Sequence, residues 1–435
     1  MMNARQVSGL RRPISVTLPS MLHRLPFILA LAIVLGSPAA GAESSPPLAL
    51  HLPDVEQMLA QRNRVLVATR RATAAGEAMV DVAGARPNPV VSLNTFGLNG
   101  RYVGGGSNLD TTLRIDQPFE RGNKRNLRLA VADSLLKANR ADESDGLRQQ
   151  NLLARQAYFD LKAAEEKSQL AAESARLAEQ ILETANLRLR AGDLSPADVA
   201  RIRTDTLKAE GDATQARIDL RRSQLALAQL LAMEKEAERL TTADPWPPLS
   251  ALTKTAADIE SRPDVVSARQ RLDAAEHSIS LARAQQVRDI TLGAQVERIP
   301  DQGSTPIYGV GVSVPLFTGY DYRGEIRRAH VDRDSALDDL ERVRATAAAE
   351  FEQATFETER LSELARRLRD EALPSARQAH AAVVLAFKHG AASALDVIDA
   401  RRSLFAVETD TANALADAAK ARAAWAAATN RPDLP

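Results

Sequence analysis

Two landmarks in this chain repeat at a fixed distance, and that repetition limits its fold more than any other feature. Around Gly192 the sequence reads Arg-Leu-Arg-Ala-Gly-Asp-Leu-Ser-Pro-Ala-Asp-Val, and around Gly390 it reads Leu-Ala-Phe-Lys-His-Gly-Ala-Ala-Ser-Ala-Leu-Asp-Val. Gly192 and Gly390, Ser195 and Ser393, Asp198 and Asp396, and Val199 and Val397 are each 198 positions apart (390 − 192). Gln117-Pro118-Phe119 and Val314-Pro315-Leu316-Phe317 repeat at nearly the same offset, 197 (315 − 118). Two landmarks that keep register over this distance point to an internal duplication, so the fold is assembled from two similar units.

The first residues have the texture of an export signal over 1–42. Arg11, Arg12, His23 and Arg24 precede the apolar run Leu25 to Leu35, and Ala40-Gly41-Ala42 is a small-residue cleavage site. Met21 is an alternative start. The run is too short for a membrane-spanning helix, which needs about 20 residues. Cysteine is absent, so disulfides and thiolate metal sites are excluded and an exported chain must hold together by packing alone. Charges balance at 56 basic and 56 acidic residues, which argues against a nucleic-acid partner.

Most of the mature chain is Ala, Leu, Arg, Glu and Gln with few aromatics, a composition of long helices. The first repeat, 43–240, is expected to hold helices over 54–83, 124–190 and 196–231. The second, 257–430, is expected to hold helices over 264–287, 324–388 and 395–428. A helix over 124–190 would be on the order of 100 Å long, which indicates a coiled-coil-like tube. The Pro-rich connector 241–256, with Pro245-Trp246-Pro247-Pro248, and the tail 431–435 are expected to lie outside it.

After the first helix of each repeat the texture changes to two strands, 90–98 and 111–117 in the first and 289–297 and 308–314 in the second. Loops carrying Gly104-Gly105-Gly106 or Pro300 join them. Ile290, Leu292, Ala294 and Val296 alternate with polar or small residues, and Leu113 and Ile115 alternate with Arg114 and Asp116. One face can meet lipid and the other water, and nine or so residues per strand suit a tilted crossing. Four strands in an open ribbon leave two unsatisfied edges that hydrocarbon does not tolerate. Three chains would close 12 strands, so the expected fold is mainly α with a membrane β-barrel portion, assembled as a homotrimer.

Helix, hairpin and long helices with a turn, given twice after an export signal, resemble the TolC family of trimeric outer-membrane efflux ducts over essentially the whole mature chain. The Pro-Phe and Pro-Leu-Phe strand ends and the two Gly-x-x-Ser-x-x-Asp-Val turns carry the resemblance. Gln117 to Arg125 is similar to the Gln-x-x-Glu-x-Gly-Gly-Lys-Arg segment of the cobalt-zinc-cadmium (CzcC-type) branch, with Asn123 in place of a glycine. The resemblance implies an outer-membrane barrel, an α-helical periplasmic barrel and a closable inner end at the turns 191–195 and 390–393. Gly192, Ser195, Asp198, Gly390 and Ser393 would dock a periplasmic adaptor (membrane fusion) protein, and an RND-type inner-membrane pump would supply the energy. The implied duct uses no cofactor and is not an enzyme. Drug efflux, type I protein secretion and a non-conducting periplasmic coiled-coil adaptor are the alternatives.

Leu395 to Ala400 matches the family's Asp-Val-x-Asp gate at Asp396 and Asp399. Three residues apart, they share a helix face. Threefold symmetry would gather six carboxylates, attract cations and raise some of their pKa values. Asp396 also sits three residues after Ser393, the arrangement of a helix cap, and Ser195 and Asp198 repeat it. The polar brace of the family's closed end is missing, because Phe387 and Ala392 stand at its positions. Lys388, His389, Arg203 and Arg401 are the substitutes within reach. His380 and His389 are nine apart, on opposite faces of one helix, and His277 and His330 are isolated. The triple glycine lacks the Lys-Ser or Lys-Thr of a phosphate loop.

Overall fold

The computed structural model describes residues 46–96, 110–250, 258–299 and 305–429. The export signal, the loop around Gly104 to Gly106, the connector from 251 and the tail 431–435 lie outside the described residues. The elements are β1 (Leu48–Leu50), α1 (Leu52–Arg62), α2 (Arg64–Gly84), β2 (Val90–Phe96), β3 (Asp110–Phe119), α3 (Lys124–Ala191) and α4 (Pro196–Leu230). They continue with β4 (Leu240–Thr242), α5 (Pro263–Ala284), β5 (Ile290–Arg298), β6 (Pro306–Ser313), α6 (Arg323–Arg367), α7 (Leu373–Lys388) and α8 (Ala394–Ala428). Among the described residues no helix is long and apolar enough to cross a membrane.

Two expected helices are interrupted. The stretch 54–83 divides at Asn63, whose backbone is extended at φ −60° and ψ 127°. Its Oδ1 accepts from the N–H groups of Val65 and Leu66 and so caps α2, while its Nδ2 donates to Gln150 and to the Leu230 carbonyl. The stretch 324–388 changes winding at Leu368–Ala372, a single π turn between α6 and α7. Pro374 follows it. A proline has no N–H for the Asp370 carbonyl, and its ring would press on that carbonyl in α geometry, so the wider turn accommodates it. In contrast α3 runs unbroken for 68 residues.

The two hairpins form one sheet. Its order is β2-β3-β5-β6 with every neighbour antiparallel, so the repeats meet at the β3–β5 pair. Register sorts the side chains by face. Val91, Ile115, Ala294 and Val310 form one row across the four strands, and Leu93, Leu113, Val296 and Tyr308 form the next. This apolar face is bare: Tyr308 is 75% and Val310 94% exposed. Ser92, Arg114, Gln295 and Gly309 form a row on the opposite, polar face.

The connector is bound to the helices, through contacts the sequence did not reveal. β4 pairs in parallel with β1. The Tyr158 hydroxyl donates to the Leu50 carbonyl at 3.0 Å and to Asp244 at 2.9 Å, and burial pushes its pKa up. Asp244 also accepts from the Leu52 N–H and contacts His51 Nδ1 at 2.6 Å, and this hydrogen bond raises the His51 pKa. The Trp246 indole N–H donates to Glu166 and its ring stacks on Phe159. Pro245 to Pro248 thereby lie beside α3 and α8, and the Pro248 carbonyl accepts from Arg422 of α8.

At the seam between sheet and helices, Lys124 is 5% exposed and its ammonium donates to both oxygens of Asp289, at 2.8 and 2.9 Å. Asp289 also accepts from the Arg121 N–H. Asn123, just before α3, is left-handed at φ 61°, and Tyr322, just before α6, repeats this at φ 62°. Asparagine is the non-glycine residue that best tolerates this region, so Asn123 can replace the glycine of the related segment.

Replacing Asp289 by Ala leaves the Lys124 ammonium buried without its partner. We expect a loss of about 3 kcal/mol, toward the low end for a broken buried pair because Asp289 itself is partly exposed. Denaturant unfolding measures it, and the double variant Lys124→Met with Asp289→Ala should lose less than Asp289→Ala alone.

Candidate functional site

The two turns are built alike. Gly192 lies at φ 83° and Gly390 at φ 77°, the left-handed backbone that closes a helix and that glycine adopts without steric cost. The Asp193 N–H reaches back to the Arg188 carbonyl at 2.9 Å, and the Ala391 N–H to the Ala386 carbonyl at 2.8 Å. Each returning helix is then capped by serine. Ser195 Oγ accepts from the Asp198 N–H at 3.1 Å, and Ser393 Oγ accepts from the Asp396 N–H at 3.2 Å. In the second turn Asp396 completes the box, accepting from the Ser393 N–H at 2.8 Å.

Between the turns lies an apolar cluster that joins the repeats. Ala185 of α3, Val199 and Ile202 of α4, and Ala394 and Ile398 of α8 are buried in it, with Leu189, Leu194 and Phe387 packed around them. Val397 and Ile398 face inward while Asp396 and Asp399 are exposed, so both carboxylates stand on the outer side of the first turns of α8. Hydrogen bonds from Ser393 hold Asp396 below the ordinary aspartate value of 3.8. Within one chain this is the opposite direction from the rise expected of crowded like charges.

Of the four residues offered as substitute braces, Arg401 makes polar links in this chain: it is 5% exposed and spans three helices. One Nη donates to Asp205 of α4 at 2.6 Å and the other to Ser174 of α3, while Arg402 donates to the second Asp205 oxygen at 2.7 Å. Phe387 is engaged by Arg188, whose guanidinium lies 4.4 Å from the ring centre. Arg203, Lys388 and His389 are exposed. Sequence reasoning missed Arg188, Ser174 and Asp205. Asp205 had a detectable signal, since it interrupts the row Ile202, Thr206, Ala209 and Ala213 that α4 buries. Among the described residues no group of three or more His, Cys, Asp or Glu side chains is arranged to hold a metal ion.

Comparison with known proteins agrees with the duplicated architecture. The family model described as outer membrane efflux protein matches residues 55–233 and 257–431. The cobalt-zinc-cadmium resistance protein CzcC of Cupriavidus metallidurans is 27% identical over 301 residues, 68% of this chain and 71% of that protein. The nickel-cobalt-cadmium resistance protein NccC of Alcaligenes xylosoxydans xylosoxydans is 26% identical over 309 residues, 70% of this chain and 69% of that protein. The crystal structure of the outer membrane protein VceC from Vibrio cholerae superimposes with a TM-score of 0.72 at 20% identity, covering 87% of this chain and 96% of that one.

Two measurements probe the tip. Asp205→Ala strands the buried Arg401 charge and should cost about 3–5 kcal/mol in denaturant unfolding, whereas Asp205→Leu with Arg401→Met should cost less. Because the folded-state pKa of Asp396 is depressed, its contribution is complete above the unfolded value and is lost as pH falls from about 4 downward. Over that range the thermal midpoint of the native protein should fall more than that of Asp396→Asn.

Proposed function

The chain belongs to the outer membrane efflux protein family and is an outer-membrane protein that extends into the periplasm, and from that premise we propose that three copies close into a passive export duct. The observation that carries this reading is the sheet, with one bare apolar face, one polar face and two open edges on β2 and β6. Hydrocarbon accepts such a sheet only when its edges are paired, and three copies supply 12 strands. The apolar rows meet lipid, the polar rows line the lumen, and the long helices continue the lumen through the periplasm.

The inner end closes at the two turns. Asp396 and Asp399 from three chains place six exposed carboxylates around the axis, favouring cations at the constriction. Gly192, Ser195, Asp198, Gly390 and Ser393 shape the surface on which a periplasmic adaptor docks, and an RND-type inner-membrane pump drives transport. The cargo is heavy-metal cations, a reading supported by the metal-resistance relatives and by the segment Gln117 to Arg125. Selection among metals belongs to the pump. The duct hydrolyses nothing.

A strain lacking this chain should become sensitive to divalent metals, or to copper and silver, and keep its resistance to hydrophobic antibiotics. Antibiotic sensitivity alone would remove the metal assignment while leaving the duct. In planar bilayers Asp396→Ala with Asp399→Ala should raise leak conductance and weaken block by trivalent cations. Unchanged block would reduce both residues to structural roles at the start of α8, and a monomer in detergent would sink the shared barrel.

A further inference from the structure

The polar face of the sheet holds a side-chain cluster that the gate and the turns leave unused. Arg114 and Asp116 are two apart on β3 and therefore share that face; across the β3–β5 pair Gln295 stands opposite Arg114 and Gly293 opposite Asp116. Arg114 Nε donates to both Asp116 oxygens, at 2.9 and 2.8 Å, and its Nη1 donates to Gln295 Oε1 at 3.2 Å. The remaining nitrogen, Nη2, lies over Gly293. A methyl group built on Gly293 would sit 2.7 Å from Nη2 and 2.4 Å from Asp116 Oδ1, closer than carbon contacts allow. Side chains ordinarily stand roughly perpendicular to a sheet. Here the arginine lies along it instead, 33% exposed, with Asp116 24% exposed.

By alternation the same face carries Asp110, Thr112 and Glu297, and Arg114 is its one basic residue among the described strand positions. A guanidinium is never deprotonated in a protein, so the effect of Arg114 on passing ions depends on where its charge is held. Pinned to the wall and paired with Asp116, it is neutralised locally, and Asp110 and Glu297 leave the wall acidic. Released, its long stem would carry the charge away from the wall.

We infer that Asp116, Gln295 and the missing side chain at Gly293 clamp Arg114 against the barrel wall, and that this clamp sets the ion preference of the outer-membrane section of the duct. The inference rests on the three-chain barrel proposed above, in which the polar face lines the lumen. Three clamped arginines at one level leave a passage for cations; three released ones form a positive ring that opposes them. Arg114 is thus a specificity-determining residue, and Asp116, Gln295 and Gly293 position it.

The test is the potassium-to-chloride permeability ratio, read from reversal potentials across planar bilayers in a potassium chloride gradient. Gly293→Ala changes no charge and displaces only the ends of flexible side chains, so the sheet survives while the clamp opens. It should lower the ratio by roughly twofold or more, and the near-isosteric Asp116→Asn should lower it too. Arg114→Gln should raise the ratio, and adding Gly293→Ala to Arg114→Gln should change it no further. A conducting native protein whose ratio is unmoved by Gly293→Ala, or is still lowered when Arg114 is Gln, overturns the clamp and leaves the duct intact. A trimer that inserts but passes no current, in the native form and also with Asp396→Ala and Asp399→Ala at the inner end, overturns the duct and the clamp with it.

Discussion

The antiparallel pairing of β3 with β5, from Thr111 opposite Arg298 to Phe119 opposite Ile290, is the contact on which the rest of the structure depends. Alone, each repeat owns a two-stranded hairpin, which is marginal in water and inadmissible in lipid. Paired, the repeats share one sheet whose two faces differ in polarity most sharply across β3 and β5. The same pairing fixes where the helices begin, because β3 runs into α3 through the left-handed Asn123 and α5 delivers the chain to β5. Lys124 and Asp289 close that seam with a buried pair.

Beyond the seam the helices pack through small residues. The C-terminal half of α8 buries Ala412, Ala414, Ala416, Ala418, Ala419, Ala421 and Ala423, which lets its backbone approach several neighbours at once. Toward the turns the pattern changes: α8 becomes amphipathic, with Val397 and Ile398 inward and two carboxylates outward. Polar links take over part of the work, Arg401 gathering α3, α4 and α8 through Ser174 and Asp205. Alanine packing along the C-terminal half of α8 thus gives way, toward the turns, to a small apolar cluster and a charged knot at Arg401.

Legibility followed the range of the interactions involved. Long helices and turns are local, so composition, the absence of proline and the 198-residue offset exposed them. Alternation likewise exposed β3 and β5, and the Gly- or Pro-bearing loops pointed to their hairpin partners β2 and β6. Asn63 went unread because an asparagine in a helical pattern breaks it only if its side chain finds other work, here with Gln150 and Leu230 far along the chain. β1 and β4 are three residues each, too short for any periodicity. Arg401 looked like a surface arginine because its partners lie 196 and 227 residues away. The Arg114 cluster was half visible: the alternation placed it on the polar face, but only the register of β3 against β5 sets it over Gly293.

The π turn at Leu368–Ala372 shifts the register of the second repeat against the first, whose α3 has no such turn. Each residue added to a helical turn rotates everything after it by about 100° relative to uninterrupted α winding. Positions spaced seven apart across that segment therefore do not fall on one stripe. Read as a single α-helix, 323–388 would have the faces of Leu373–Lys388 misplaced by roughly one position throughout. Corresponding residues of the two repeats are therefore matched by one offset before the turn and by a slightly larger one after it, 197 at Pro118 and Pro315 against 198 at Gly192 and Gly390.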